Sequence, residues 1–113
     1  MSISCAALLL AQTASAGSPI DVVVPNAIVS LHNEYVACQD KNFDIRKVQN
    51  RGTFKAEVER AIAACTEQKT TLMQQAEVKL APAPEFRDPA VRQRAISEAF
   101  EGYDRVRRLM AAQ

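Results

Sequence analysis

The chain has 113 residues, a formal net charge of +1, and 48% hydrophobic residues with few aromatics and no tryptophan. A chain of this length has room for one modest domain. Its near-neutral charge argues against nucleic acid as the main partner, because proteins that bind nucleic acid usually carry a basic excess. The apolar residues are mainly Ala, Val, Leu and Ile, and glycine is rare. This composition favours helices over sheets.

The first sixteen residues have the pattern of a cleavable signal peptide. An apolar run from Ile3 to Ala11 is followed by Ala14-Ser15-Ala16, which matches the small-residue motif of signal peptidase sites, although no Lys or Arg precedes the run. The run is too short to cross a bilayer, which takes about 20 apolar residues. The alternative is a short buried N-terminal helix. We expect cleavage between Ala16 and Gly17, and a periplasmic or secreted protein without stable membrane insertion.

The mature chain is predicted to have an extended leader over 17–25 and a helical domain over 26–113. Three amphipathic helices are expected at about 26–48, 54–80 and 89–111. Asn26, Thr53 and Asp88 are suitable N-caps for them, and Pro89 suits the first turn of the last helix. The segment 49–52 is polar and ends in glycine, and 81–84 is rich in proline, so both predict helix ends.

Within each segment the apolar residues form a stripe along one helix face, and in the first segment they recur at steps of three and four. The three stripes are Ile28, Leu31, Tyr35, Cys38, Ile45 and Val48; Phe54, Val58, Ala61, Ile62, Cys65, Leu72, Ala76 and Leu80; and Val91, Ala95, Ile96, Ala99, Phe100, Tyr103, Val106, Leu109 and Met110. Asn42-Phe43-Asp44 interrupts the first stripe, so that helix is expected to kink or break there. Three such segments with short connections predict an all-α fold, a small antiparallel three-helix bundle.

Cys38 and Cys65 are the cysteines that remain after the expected cleavage, and they predict a disulfide. Cys38 lies about as far before the predicted turn at Arg51 and Gly52 as Cys65 lies after it. In an antiparallel hairpin that rises about 1.5 Å per residue, the two thiols then lie at the same level. A redox or metal pair is the alternative, but the chain lacks the C-x-x-C spacing and any Cys/His cluster. In a reducing cytosol the two would be structural thiols.

No motif points to a catalytic residue, a cofactor or a metal site. His32 is the only histidine, has no evident partner, and is expected at the surface or at its boundary. The carboxylates Asp40, Asp44, Glu57 and Glu59 could be brought together near the predicted turn and bind a cation, but interleaved basic residues favour solvated ion pairs. We therefore expect a non-enzymatic envelope protein that binds another protein. The alternative is a module that binds a small ligand or a metal ion.

Overall fold

The computed structural model describes residues 22–113, and within this part the regular secondary structure is entirely helical. The four α-helices are α1 (Val29–Asn42), α2 (Arg51–Ala64), α3 (Thr66–Leu80) and α4 (Pro89–Ala112), and the short 3₁₀ helices are Asn26–Ile28, Ile45–Lys47 and Pro84–Phe86. The all-α prediction is confirmed. The predicted signal peptide, its cleavage site at Ala16 and Gly17, and the leader residues 17–21 lie outside the described residues.

The first helix is shorter than the predicted segment 26–48. Asn26 does not act as its N-cap, because it belongs to a 3₁₀ turn and makes no capping hydrogen bond. At the other end, Phe43 leaves the helix with an extended backbone (φ −88°, ψ 122°). The Asn42 side chain satisfies one terminal carbonyl by donating to the Cys38 oxygen at 2.8 Å. The break therefore falls where the polar interruption predicted it.

The second helix begins at Arg51, three residues before the predicted start. Asn50 is the N-cap, and its Oδ1 accepts a hydrogen bond from the Thr53 backbone N–H at 2.9 Å. Thr53 Oγ1 accepts in return from the Asn50 N–H at 2.9 Å, which completes a capping box. Thr53 is thus the third residue of the helix instead of its cap, and Gly52 lies in the first turn instead of ending the preceding helix.

The predicted helix over 54–80 is two helices, α2 and α3, and the predicted three helices are therefore four. Cys65 separates them with a backbone outside the helical region (φ −104°, ψ 6°), and its N–H bonds the Ile62 oxygen three residues back. As a result, the two helices bury their apolar residues in different clusters. Val58 and Ile62 of α2 pack with Ala111, whereas the apolar residues of α3 join a larger cluster.

Contacts between side chains define how the helices run. Glu59 pairs with Arg108, Lys69 with Asp104 and Glu77 with Arg92. Later residues of α2 and α3 therefore meet earlier residues of α4, so this pair of helices runs antiparallel to α4. α1 runs parallel to α4. His32 in the first turn of α1 contacts Ala99, and the later Asp40 contacts the later Arg107.

The larger core cluster joins the 3₁₀ turn before α1 to α1, α3 and the middle of α4. Its buried members are Ile28, Leu31, Tyr35, Cys65, Leu72, Ala76, Leu80, Ile96, Ala99 and Phe100. Val24 and Phe86 pack against this cluster from the chain segments outside the α-helices. Val24, near the end of the predicted leader, therefore packs on the helices.

The predicted disulfide between Cys38 and Cys65 is present, with the Cα atoms 6.1 Å apart. It joins the last turns of α1 to the junction between α2 and α3. Cys65 is fully buried and belongs to the larger core cluster, and Cys38 packs against that cluster. The bond therefore ties three helices at one level.

Replacing both cysteines by alanine (Cys38→Ala with Cys65→Ala) should lower the free energy of unfolding by about 3 kcal/mol, because the unfolded chain is no longer cross-linked. Urea unfolding followed by circular dichroism measures this loss. As a matched control, the wild-type protein in excess reductant should lose a similar amount. An unchanged urea midpoint in the double variant would contradict the prediction.

Candidate functional site

A buried carboxylate, Asp104, lies where α1, α3 and α4 meet. It is 3% exposed. Its Oδ1 accepts hydrogen bonds from Tyr35 Oη and Gln39 Nε2, both at 2.6 Å. Its Oδ2 lies 2.9 Å from Lys69 Nζ, and the Lys69 side chain is 17% exposed. Three donors from two helices therefore satisfy this carboxylate.

Helical periodicity places the donors of α1 together. Tyr35 and Gln39 are four residues apart, so they lie on the same face of α1, one turn above the other. Both are fully buried. Gln39 Oε1 is the buried side-chain atom without a hydrogen-bond partner in the described residues, because the amide nitrogen is the atom that faces Asp104. The network thus uses the donor of Gln39 and leaves its acceptor without a bond.

The Tyr35 phenol is held in its protonated form. Burial raises the pKa of Tyr35 far above its usual value of 10, and the hydrogen bond to Asp104 and the negative charge of Asp104 raise it further. A phenol in this state donates to the carboxylate and cannot act as a base or nucleophile near neutral pH. The arrangement is a buried hydrogen-bond network centred on Asp104.

His32 is also part of the core, whereas the sequence pattern predicted a surface or boundary position. It is 9% exposed, and its Nε2 donates to the Ala99 oxygen at 2.9 Å. The rings of Phe100 and Tyr103 flank it at centroid distances of 5.7 and 5.6 Å. Burial lowers the pKa of His32 below its usual 6.5, and the hydrogen bond to Ala99 opposes this effect only in part. The imidazole is therefore neutral at pH 7.

The carboxylates considered as a cation site are each paired with an arginine. The pairs are Asp40 with Arg107, Asp44 with Arg46, Glu57 with Arg60 and Glu59 with Arg108. Arg60 and the backbone N–H of Asp44 lower the pKa of Glu57 to about 2. Within residues 22–113, no group of three or more His, Cys, Asp or Glu side chains is placed to hold a metal ion. Ion pairs are therefore present, but of the interleaved basic residues only Arg46 takes part, and Glu57 is buried instead of solvated.

The depressions on the surface of the described part include two with strongly apolar walls. The first, here named the leader groove, is about 390 Å³ and runs between residues 23–25 and the start of α4; it is lined by Val23, Pro25, Phe86, Val91, Arg94, Ala95 and Glu98. The second, named the hairpin pit, is about 240 Å³ and lies at the end of the molecule where α1 connects to α2; it is lined by Asp40, Phe43, Ile45, Phe54, Val58, Arg107 and Met110.

Comparison with known proteins gives no relative. No protein-family model, no curated protein and no solved structure matches the chain. The functional interpretation therefore depends on the chain's own residues.

The buried network contains residues that the sequence stripes did not include. Asp104 lies four residues after Phe100 and Gln39 four residues after Tyr35, so both continue a buried face that the apolar pattern had already marked. Polar residues at such positions are a signal for a buried network. Lys69 has the same spacing, since it lies four residues after Cys65 and three before Leu72, but lysine is the residue type of the three that is most often exposed.

Replacing Asp104 by leucine should lower the free energy of unfolding by about 3 to 5 kcal/mol, because Lys69, Tyr35 and Gln39 are left buried without their acceptor. Tyr35→Phe removes one donor and keeps the carboxylate paired, so we expect a loss of about 1 to 2 kcal/mol. Urea unfolding measures both. Glu101→Leu, on an exposed face of the same helix, is the control and should change stability little. Equal stability of Asp104→Leu and the wild type would contradict a stabilising network.

The neutral His32 should make the protein acid-sensitive. Since its pKa is lower in the folded state than the unfolded value of 6.5, the unfolded chain binds more protons below that pH. The His32 contribution is therefore full above about pH 6.5 and is lost as the pH falls through the folded pKa. His32→Gln keeps a donor for Ala99 but does not titrate. Between about pH 7.5 and pH 5, the free energy of unfolding should fall more in the wild type than in this variant. Equal falls in the two proteins would contradict a buried, neutral His32.

Proposed function

We propose that the protein is exported and non-enzymatic, and that it acts by binding another protein through its exposed apolar surface. The observation that carries the proposal is that residues of the apolar stripes remain outside the core. Ile45 is 68% exposed, Met110 56% and Val91 37%. Ile45 and Met110 line the hairpin pit, and Val91 lines the leader groove. Apolar residues that cluster around depressions mark binding surfaces more often than scattered ones do.

The placement of the reactive side chains supports a non-enzymatic role. His32, Tyr35 and Asp104 are buried, hydrogen-bonded and away from both depressions. An enzyme needs such groups within reach of a substrate. The groups that line the depressions are mainly apolar, which suits contact with a partner's side chains.

Export is supported by the signal-like N-terminal sequence together with the disulfide. Disulfides form and persist in oxidising compartments, such as the bacterial periplasm and the extracellular space. A chain that places Cys38 and Cys65 within bonding distance is suited to such a compartment. None of the helices in the described range combines the length and apolar character needed to cross a membrane.

A small-ligand module is the second candidate, and the leader groove is the feature that favours it. Its volume of about 390 Å³ falls within the range of about 300 to 1,000 Å³ typical of ligand pockets. Arg94 and Glu98 supply polar groups at its wall. For a metal ion, the described residues offer no comparable feature.

Photo-cross-linking in cells that make the full chain tests export and protein binding together. We expect a reactive side chain at Met110 or Val91 to capture one defined partner, because these residues line the two depressions. Val78, which is 74% exposed but lines neither depression, is the matched control position and should capture none. Intact mass of the protein that is not cross-linked, with and without reductant, should show the loss of residues 1–16 and an intact disulfide.

The two halves of the proposal fail separately. A mass that retains the N-terminal residues, with reduced cysteines, contradicts export. Equal cross-linking at all three positions, or none at any of them, contradicts a specific protein-binding surface. Absence of a protein partner combined with a small molecule bound in the leader groove would favour the second candidate.

A further inference from the structure

The hairpin pit combines an apolar interior with a basic surround. We propose that it binds an acidic segment of a partner protein that inserts one apolar side chain. This inference rests on the proposed function of protein binding and specifies the chemistry of the partner. Three properties of the pit carry it: its size, the charge around it and the arginine in its wall.

The pit is of a size to hold one apolar side chain. Phe43 and Phe54 form its inner wall, with their rings edge to face at a centroid distance of 6.0 Å, and Val58 closes the bottom. Ile45 and Met110 lie at its exposed margin. At about 240 Å³ the pit is smaller than typical small-molecule pockets, which begin at about 300 Å³. Anchors of this kind, a single apolar side chain in a pocket, carry much of the affinity of many protein interfaces.

Positive charge is concentrated in the segments of the chain that form the pit. Residues 40–60 together with Arg107 and Arg108 contain eight basic and four acidic residues, whereas the whole chain has a net charge of only +1. The four acidic residues are all used in the arginine pairs described above. Four further cations, each within three positions of a pit residue, have no carboxylate within 4.0 Å in the described part of the chain: Lys41, Lys47, Arg51 and Lys55. These basic residues therefore attract carboxylates.

Arg107 gives the wall of the pit a donor for a partner's carboxylate. Its guanidinium lies over the Phe43 ring, 5.3 Å from the centroid. Its pair with Asp40 is loose, with Nη1 and Oδ1 3.4 Å apart, compared with about 2.7 to 2.9 Å for strong charge-assisted bonds. A guanidinium has five N–H donors, so Arg107 keeps donors available for a carboxylate that enters the pit.

The same properties disfavour the other occupants. A second copy of the chain, docked pit to pit, would bring two basic surrounds together, which opposes association. A membrane surface would contact the exposed Ile45 and Met110 but would leave the partly buried Phe43 and Phe54, which lie within the depression, uncovered. An acidic polypeptide with one apolar side chain satisfies both the concave shape and the charge.

The test is a fluorescence-anisotropy titration of the full mature protein with designed peptides. The probe is a labelled peptide with a central leucine flanked by glutamates; one control peptide replaces the leucine by serine and a second replaces the glutamates by lysines. We expect binding of the probe alone, weakened as salt rises from about 50 to 500 mM. Lys47→Glu with Lys55→Glu should raise its Kd about tenfold, and Met110→Ser should also raise it. The matched controls Lys79→Glu and Val78→Ser should leave the Kd unchanged.

The proposal is overturned if no glutamate–leucine peptide binds, if the control peptides bind equally well, or if the pit variants bind as the wild type does. Binding to vesicles that contain phosphatidylglycerol, without binding to the probe, identifies a membrane surface instead and also overturns it. Circular dichroism checks that each variant is folded. A partner cross-linked at Val91 but not at Met110 contradicts the pit while leaving protein binding in place; no partner at either position contradicts both.

Discussion

One buried carboxylate constrains how three of the four helices align. Asp104 can remain charged in the core only if donors replace the water it has lost, because an unpaired buried charge costs several kcal/mol. Tyr35 and Gln39 from α1 and Lys69 from α3 provide these donors. A shift of α1 by one turn along α4 would leave at most one of its two donors beside Asp104, and a shift of α3 would move Lys69 away from it. We infer that this network selects the observed register among those that the apolar stripes alone would allow.

The helix ends show how far local sequence determines this fold. Asp88 caps α4 by accepting from the Ala90 N–H, and Pro89 follows it, as the pattern predicted. Such ends are predictable because the capping residue and proline act within a few positions of each other. The break at Cys65 has little local signal. Neither glycine nor proline lies near it, and the polar gap that follows, from Cys65 to Leu72, spans two helical turns and so returns to the same helix face. Its position becomes intelligible only in three dimensions, where α2 and α3 pack against different parts of α4.

The disulfide was predicted from a symmetric hairpin, although the two halves of that hairpin are not alike. Cys38 lies four residues before the end of α1, whereas Cys65 lies just beyond the end of α2. The two cysteines nevertheless lie at the same level, because the connection after α1 runs back beside the first turns of α2. The Asp44 N–H donates to Glu57 Oε2 at 2.8 Å, and Arg60 donates to the Asn42 oxygen. These contacts continue the antiparallel register that brings the two cysteines together, so counting from the turn identified the correct partners.

The residues that the apolar pattern misplaced are the most informative about function. Ile45 and Met110 belong to stripes that predict burial, yet the fold leaves them exposed around one depression. A stripe predicts which side of a helix is apolar, but not whether another helix covers its full length. α1 ends before Ile45, and Met110 lies near the end of α4, so nothing within the described chain covers either residue. Departures from the sequence rules are expected at functional sites. Here both residues line a pit whose neighbouring segments carry four cations without a carboxylate partner in residues 22–113, and this coincidence supports the proposal of a binding surface.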